Sequence, residues 1–390
     1  MKAKVGVMKI VVIMPLGEQR GGAELMFVQL LREAKNVGLE LVVFFLEDGP
    51  LVSEAKQNGF RTEVIHAGRL RQAHRFVRTV LQVARLIRES KVEAIVSWMP
   101  KAHLYGGLAA CLAGIPAFWF QHGIATSLLD RVCTWLPARG IFGSSKGICA
   151  SQARLFPHRP VKLAYPGVEW ARFEQAARRS PSEMRERLGI PAAGPTIGIV
   201  GRLQRWKGIH FVIEAFSEVL ECYPNAQCLI VGGLHSGEPD YPEFLRSLIT
   251  QLGFGERVRM VGAQTNIPEW MQSMDVVVHA SDREPFGIVV IEAMALGKPV
   301  VASACGGPGE VIEHGVTGLL TPYAGVRQIA EAILTFLDDP NNASRVGRAA
   351  KKVAANFSTG SYAETFAKSL KDWLDPELPS KQHADGVVLP

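Results

Sequence analysis

The sequence predicts an α/β protein built on two doubly wound parallel sheets. Short apolar runs that end in glycine or polar residues alternate with amphipathic segments of helical period, a pattern typical of parallel sheets. The alternation stops at a charged, irregular connector over residues 171–190 and a linker, Pro191–Pro195, and begins again at Thr196. A chain of 390 residues is also long for one hydrophobic core, so two domains are expected.

Strands are predicted in both halves of the chain. They are residues 10–14, 41–45, 62–65, 94–96 and 118–120, followed by 196–200, 228–233, 258–262, 275–279 and 299–302. The expected divisions are an amino-terminal domain over 1–168, a carboxy-terminal domain over 169–357, a helix over 358–374 and a disordered tail over 375–390. In such sheets a ligand lies beyond the carboxyl ends of the strands.

The segment 284–294 is the most informative stretch of the second half. Its β-branched residues 288–291 alone favour a strand, but the segment continues to Gly297 and Pro299, which favours a helix that begins near 286–288. The free N–H groups at that helix start form an anion site. Glu284 and Glu292 stand eight positions apart, and ionised carboxylates accept hydrogen bonds from vicinal sugar hydroxyls. Considered alone, two such carboxylates are more often a helix cap and an exposed helix residue than a pair of sugar ligands, and the neighbouring motifs favour the sugar ligands.

Two cations stand five positions apart after the strand at 196–200. Arg202 and Lys207 lie in a loop that opens with Gly201 and leads into a helix. The planar guanidinium and the ammonium point charge together match a diphosphate.

In the first half, glycines and histidines follow the predicted strands. Gly21 and Gly22 open a helix, where a backbone without Cβ atoms lets a bulky ligand approach. His103 and His122 fall at the same sheet edge. A histidine at such a position is as readily a structural hydrogen-bonding group as a catalytic one.

Charge is distributed unevenly along the chain. Residues 1–170 contain 22 Lys+Arg and 12 Asp+Glu, which leaves 43 − 22 = 21 and 37 − 12 = 25 for the remainder. The basic half suggests an anionic partner. The amphipathic, basic segment Arg69–Arg88 is either a solvated surface helix or an interfacial helix attracted to anionic lipid.

The cysteine pattern and the apolar runs indicate the cellular compartment in which the protein is expected. The six cysteines show no C-x-x-C pair and no metal spacing, which is typical of reduced thiols in a cytosolic protein. The apolar run at the amino terminus is too short for a signal peptide, and glycines with Pro116 divide residues 104–120, so no membrane span is predicted. The expected location is cytoplasmic, with peripheral contact to the inner face of the cytoplasmic membrane through Arg69–Arg88 as the sharper interpretation. No nucleic-acid partner is expected.

Taken in order, these motifs resemble the retaining glycosyltransferases of the GT-B fold, the large group 1 / family 4 whose signature is two Glu separated by seven residues. The resemblance extends from Ile10 to about Leu374. The motifs that support it are Gly-Gly-Ala-Glu at 21–24, Gly-Arg-Leu…Lys-Gly at 201–208, Glu-Pro-Phe-Gly…Glu-Ala-Met-Ala at 284–295 and Gly-Lys-Pro-Val-Val-Ala at 297–302.

The resemblance implies two Rossmann-like domains that face a cleft, with a UDP- or GDP-sugar, most simply a UDP-hexose, held by the second. Glu284, His122, Arg202 and Lys207 are the implied catalytic groups. The implied donor-binding residues are Gly21, Gly22, Gly201, Arg202, Lys207, Val261, Gly262, Glu284, Phe286, Gly287, Ile288 and Glu292. Glu24, His103 and His122 would contact the acceptor, a lipid-linked, glycan or polysaccharide hydroxyl of a cell-envelope pathway. No D-x-D motif is present, so no metal or other cofactor is expected, and the helix at 358–374 would cross back to the first domain.

Two other functions share this architecture. A non-hydrolysing nucleotide-sugar epimerase would need acid and base groups around the sugar and no acceptor, and a non-catalytic sugar-binding protein would have lost turnover. The presence of Arg202, Lys207, Glu284 and Glu292 argues against the second. A nicotinamide dehydrogenase is disfavoured by the glycine spacing at 17–22.

Overall fold

The computed structural model describes residues 7–19, 21–68, 71–191 and 193–375. They form two compact units, of which the first contains residues 7–167 with 359–375 and the second contains 168–358. Each unit is built on its own parallel sheet. The predicted class, α/β with two doubly wound parallel sheets, is confirmed.

The first unit has a seven-stranded sheet in the order β3-β2-β1-β4-β5-β6-β7. Its strands are β1 (Met8–Met14), β2 (Leu39–Phe45), β3 (Arg61–Val64), β4 (Ala94–Trp98), β5 (Ala117–Gln121), β6 (Gly140–Gly143) and β7 (Val161–Leu163). The last two strands are absent from the sequence prediction, because β7 has only three residues and the four residues of β6 begin and end with glycine.

Helices cover both faces of this sheet. They are α1 (Gly22–Glu33), α2 (Pro50–Gln57), α3 (Ala73–Ser90), α4 (Met99–Ala113), α5 (Leu128–Trp135), α6 (Lys146–Ala153) and α16 (Thr359–Leu374). The chain runs β1-β2-β3 towards one edge and then β4 to β7 towards the other, and crossovers are right-handed, so α1 and α2 lie on one face and α3 to α6 on the other. The helix α16 packs on α1, with Phe366 stacked on Phe120 and Trp373 against Phe142.

The second unit has a six-stranded sheet in the order β10-β9-β8-β11-β12-β13. Its strands are β8 (Thr196–Val200), β9 (Gln227–Val231), β10 (Val258–Gly262), β11 (Val276–His279), β12 (Val300–Ser303) and β13 (Leu319–Thr321). Its helices are α7 (Trp170–Ala177), α8 (Pro181–Arg187), α9 (Ile209–Cys222), α10 (Tyr241–Gln251), α11 (Ile267–Ser273), α12 (Ile288–Ala295), α13 (Pro308–Val311), α14 (Val326–Asp338) and α15 (Pro340–Ala354).

The connector over 171–190 is helical, not irregular as predicted. The helix α8 opens on a capping box in which Ser180 Oγ accepts a hydrogen bond from the Glu183 N–H, and the Glu183 carboxylate accepts one from the Ser180 N–H. Ser three residues before Glu is a signature of a helix start, so the sequence contained the signal.

The strand order places a crevice in the second unit. Successive strands move from β8 to β9 and β10, and the chain then returns to the opposite side of β8 with β11. In a doubly wound sheet this switch point is where loops part and ligands bind. The loops that leave it, residues 201–208 and 280–287, contain Arg202, Lys207 and Glu284.

Two sequence predictions lie partly outside the described residues. Of the basic segment over 69–88, the structure describes 71–88, and of the tail over 375–390 it describes Asp375. None of the helices in the described ranges is both long and apolar enough to span a bilayer.

Candidate active site

The loops after β8 and β11 touch through their backbones. Lys207 ends a short 3-10 turn, Arg205–Lys207, and Gly208 follows it with φ 67°. A Cβ at Gly208 would lie 2.2 Å from the carbonyl oxygen of Ala280, so only glycine permits this approach. The N–H of Asp282 donates to the carbonyl of Trp206 at 2.8 Å. The contact brings Lys207 against Glu284.

A buried network is centred on Glu284, whose residue surface is only 9% exposed. Lys207 Nζ donates to Glu284 Oε2 at 2.5 Å, and His279 Nε2 lies 3.1 Å from the same oxygen. Ser281 Oγ is 3.2 Å from His279 Nε2. Oε1 has no partner among the described residues, so one carboxylate oxygen is committed to the protein and the other is available.

The protonation state of Glu284 follows from this network. Burial alone would raise the pKa of its carboxyl, but the charge of Lys207, together with the hydrogen bond and charge of His279, outweighs burial and holds the pKa well below its usual range. Glu284 is therefore an ionised hydrogen-bond acceptor at neutral pH.

The loop that follows β12 supports the Glu284 backbone. The N–H of Gly307 donates to the Glu284 carbonyl at 2.8 Å. A Cβ at Gly306 would lie 2.2 Å from that carbonyl oxygen, and one at Gly307 would lie 2.1 Å from Phe286 Cα. These two glycines therefore allow protein backbone to approach protein backbone. Next to them the helix α12 begins at Ile288 after Gly287 with φ 88°, which confirms the predicted helix.

Glycines also line the carboxyl ends of β8, β9 and β10. The N–H of Gly201 donates to the Val231 carbonyl and the N–H of Gly232 to the Gly262 carbonyl, each at 2.9 Å. A Cβ at Gly232 would lie 1.8 Å from the Gly201 oxygen. Gln264 Nε2 donates to the Val261 carbonyl at 2.8 Å. The surface at this edge of the sheet is therefore formed mainly by backbone atoms.

Arg202 is half-buried beside Gly201. Within the described ranges it has no hydrogen-bond or ion-pair partner in the protein. Its guanidinium differs in this respect from that of Arg205, which pairs with Asp240 at 2.5 Å. Arg202 therefore keeps all of its donors for a ligand.

Glu292 lies one turn into α12 and outside the Lys207 network. Although part of its surface is accessible, burial raises the pKa of its carboxyl to about 7, opposed by the charge of Arg172 and assisted by that of Glu169. Arg172 also donates to the Thr265 carbonyl at 2.9 Å. A carboxyl that titrates near neutrality can both accept from and donate to a hydroxyl.

In the first unit, Gly21 and Gly22 stand at the start of α1, where no side chain caps the helix. His122 is half-buried, with its ring stacked 4.4 Å from Phe120 and 5.1 Å from Trp98. Its Nε2 is buried and has no partner among the described residues. Burial lowers the pKa of His122 to about 3, so the imidazole is neutral.

His103 and Glu24, predicted to contact an acceptor, lie in the interior of the first unit. His103 has no exposed surface and stacks on Trp119 at 5.2 Å, and burial, with the charge of Arg159, lowers its pKa to about 3. Glu24 is 3% exposed within α1. Neither side chain presents a surface to a ligand, which does not favour the predicted acceptor contact.

Comparison with known families identifies both units. Glycosyl transferases group 1 match residues 181–353, and Glycosyltransferase Family 4 matches residues 20–172. The chain belongs to the group 1 glycosyltransferases. Its two parallel-sheet domains are those of the GT-B fold, and this family is the one that its motifs resemble.

The proteins similar to this chain include D-inositol 3-phosphate glycosyltransferases. The D-inositol 3-phosphate glycosyltransferase of Corynebacterium efficiens (strain DSM 44549 / YS-314 / AJ 12310 / JCM 11189 / NBRC 100395) is 34% identical over 235 residues, which are 58% of this chain and 55% of that protein. The chain thus spans about half the length of such relatives. The protein of the same name from Thermobispora bispora is 25% identical over 391 residues and covers 91% of this chain and 90% of its own.

A solved structure extends the comparison to the whole fold. Anabaena Alr3699/HepE in complex with UDP and glucose superposes with a TM-score of 0.83 at 28% identity, covering 93% of this chain and 99% of that one. The same protein has also been solved with UDP-glucose, with a TM-score of 0.81.

The structure brings together Gly201, Lys207, Glu284 and Gly287, and it leaves Glu292 on a separate part of α12. Sequence reasoning missed His279, which ends β11 at the ligand edge five residues before Glu284. Its position at a strand end was the available signal. Arg172 and Glu169, whose charges act on the pKa of Glu292, come from the connector region and had no such signal.

Proposed function

We propose that this glycosyltransferase transfers a hexose from a UDP-sugar to a hydroxyl of a glycan or lipid-linked acceptor, with retention of the anomeric configuration and without a bound metal. The observation that carries the proposal is the buried contact of Lys207 with Glu284 at the sheet switch point, beside the unpaired Arg202. The UDP and UDP-glucose complexes of Anabaena HepE support the choice of base.

Departure of UDP leaves negative charge on the β-phosphate, so the transition state needs fixed positive groups. Arg202 provides a free guanidinium. Lys207 has three donor hydrogens, of which Glu284 accepts one, so two remain for phosphate oxygens. The N–H groups at the start of α12 add the positive end of a helix. Groups already oriented towards developing charge stabilise the transition state more than the ground state, and together they take the role that a metal would otherwise have.

The carboxyl groups then position the donor. The free Oε1 of Glu284 accepts hydrogen bonds from sugar hydroxyls, and Glu292 holds the ribose hydroxyls. A retaining hydrolase would need two carboxyl groups across the anomeric carbon. Here the leaving phosphate itself takes the acceptor proton on the same face of the sugar. Glu284 thus orients the sugar and is not the nucleophile.

The acceptor is assigned to the first unit because of its charge. Residues 1–170 carry ten more basic than acidic side chains, from 22 − 12, which favours an anionic acceptor. The relatives named D-inositol 3-phosphate glycosyltransferases make an inositol phosphate a second candidate beside a lipid-linked glycan. His122, neutral and half-buried, would line the reaction centre as a hydrogen-bonding group.

A donor screen followed by product analysis tests the proposal. UDP-, GDP- and ADP-sugars are compared by thermal shift, because a ligand that binds the folded state raises the unfolding temperature. The preferred donor is then incubated with inositol phosphates and lipid-linked glycans, with and without chelator. We expect a product with the anomeric configuration of the donor and a rate unchanged by chelator. An inverted product would contradict retention, and loss of activity with chelator would contradict metal independence.

The rival functions give other outcomes in the same assay. Conversion of the donor to its epimer without acceptor would replace the transferase by an epimerase. Binding of a donor without slow hydrolysis or transfer would leave a non-catalytic protein. Slow hydrolysis that disappears in Lys207→Ala, but persists in the exposed control Lys352→Ala, supports the transferase.

A further inference from the structure

Exposed apolar side chains of the first unit collect on one face of its sheet. Its described residues include nine exposed large hydrophobic side chains. Seven of them lie in α3, α4, α5 or the loop before α5, and an eighth follows α6. They are Val77, Leu81, Leu112, Ile124, Leu128, Val132, Trp135 and Phe156, with Val7 as the ninth. Single exposed apolar residues are ordinary, but a one-sided collection indicates an interaction surface.

The centre of this surface is the outer side of α5. Leu128, Val132 and Trp135 are 77%, 44% and 63% exposed, and their spacing of four and three residues puts them on one helix face. The Trp135 ring meets Phe156 edge-on, with centroids 5.4 Å apart, and Phe156 is itself 64% exposed. We name these four residues the apolar ridge. Trp135 is the only one of the seven tryptophans that is classed as exposed.

The charges around the apolar ridge have one sign. Between residues 123 and 163 the chain has six Lys and Arg and a single carboxylate, Asp130. Asp130 is 5% exposed and turned inward, where it accepts hydrogen bonds from Ser127 and Gln121. Exposed Arg131, Arg139 and Arg154 have no protein partner within the described ranges. The surface is therefore apolar in the middle and cationic around it.

The helix α3 extends the same layer. It contacts α4, which contacts α5, and its outer side exposes Val77 and Leu81 with Arg75 and Arg78. The sequence predicted that α3 faces lipid, and α5 is a second, more apolar helix on the same face of the sheet.

We propose that the apolar ridge and the arginines around it dock this protein on an anionic lipid bilayer. Trp135 and Phe156 enter the headgroup boundary, where amphipathic aromatic rings are favoured, and the guanidinium groups contact lipid phosphates. A second copy of the chain fits less well, since a two-fold contact would bring unpaired arginines against each other. The inference does not rest on the proposed transferase activity, because vesicle binding needs neither donor nor acceptor.

The first test measures binding of the full chain to vesicles by sedimentation at low salt. Vesicles of phosphatidylcholine and phosphatidylglycerol in a two-to-one ratio are compared with vesicles of phosphatidylcholine alone. We expect binding to the anionic vesicles only, weakened by added salt. Leu128→Ser should lower the partition coefficient about tenfold, as expected from loss of a buried apolar side chain. Leu234→Ser, at a 73% exposed leucine of the second unit, is the matched control and should leave it unchanged.

A second measurement uses the natural chain, and its control variant exchanges only one aromatic ring for another. Trp135 fluorescence should shift to shorter wavelength on binding and be quenched by brominated lipid, and Trp135→Phe should remove both signals. Equal binding to neutral vesicles, absence of binding, or equal losses in Leu128→Ser and Leu234→Ser would overturn the proposal. So would concentration-dependent self-association in light scattering that Leu128→Ser abolishes, since it would assign the ridge to a second copy of the chain.

Discussion

Replacing Lys207 with methionine removes the charge that holds Glu284 ionised while it keeps most of the side-chain volume. The Lys207 and Glu284 side chains are only 16% and 11% exposed, so the carboxylate cannot recover its hydration. At about 4 Å between charge centres and an effective dielectric constant of about 20, the lost attraction is about 4 kcal/mol. Removal of one partner of a buried pair costs about 3–5 kcal/mol. We expect Lys207→Met to lower the free energy of unfolding by an amount in that range at pH 8.

The pH dependence of stability should change when the charge of Lys207 is removed. In the natural protein the pKa of Glu284 is depressed, so its contribution to stability is present above the unfolded pKa of about 4.3 and is lost as pH falls. Without Lys207, burial raises the pKa of Glu284, and stability is then lost as pH rises above about 4.3. The destabilisation by Lys207→Met should therefore be smaller at pH 5 than at pH 8.

The assay is urea unfolding followed by tryptophan fluorescence at both pH values. Lys352→Met, at an exposed lysine of the same unit, is the matched control. Adding Glu284→Gln should restore part of the stability lost in Lys207→Met, because it removes the unpaired charge. Equal effects of Lys207→Met and Lys352→Met, or strictly additive effects of Lys207→Met and Glu284→Gln, would refute the reasoning.

Three further predictions concern the same unit. Arg202→Gln should leave the free energy of unfolding unchanged, since Arg202 has no partner within the described ranges. It should lower the initial rate with UDP-sugar by about two orders of magnitude, which corresponds to about 3 kcal/mol of transition-state stabilisation. A near-normal rate would contradict the diphosphate role of Arg202. Glu292→Gln should stabilise the protein at pH 8 by up to about 3 kcal/mol and far less at pH 5. The pKa of Glu292 is raised to about 7, so the natural protein loses stability as pH rises from the unfolded towards the folded pKa of this carboxyl. Equal shifts of the urea midpoint at the two pH values would contradict this. Gly307→Ala should lower the free energy of unfolding by about 1–3 kcal/mol, because the added Cβ would lie 2.1 Å from Phe286 Cα. In the control Gly309→Ala the nearest atom is 3.4 Å from the added Cβ, so the thermal midpoint should hardly change. Equal midpoints for the two variants would count against the packing argument.

The fold was predictable where apolar runs were long enough to show a period. The strands β6 and β7 were not, because their burial comes from distant parts of the chain. Phe142 of β6, for example, lies between Phe366 and Trp373 of α16, more than two hundred residues later. The helix α8 was missed although Ser180 and Glu183 form its capping box. Here the charged composition of the connector concealed a local signal.

The site was predictable from ordered motifs only in part. The loop sequences indicated Lys207 and Glu284 as separate groups, but their direct contact depends on Gly208 and Ala280 meeting in three dimensions. The same contact brings in His279, which no motif indicated. In the first unit, His103 and His122 follow strands alike in sequence, yet His103 is wholly enclosed beside Trp119. A pattern of strand ends does not distinguish a side chain that faces the edge from one that turns inward.

The most direct test of the central claim is calorimetric titration of UDP into the natural protein and into Arg202→Gln combined with Lys207→Met. The account predicts that UDP binds the natural protein and that the double variant loses at least tenfold in affinity, about 1.4 kcal/mol. Arg246→Gln, at an exposed arginine paired with Glu243, should bind UDP as the natural protein does. Unchanged UDP affinity in the double variant would contradict the claim that these two cations hold the diphosphate.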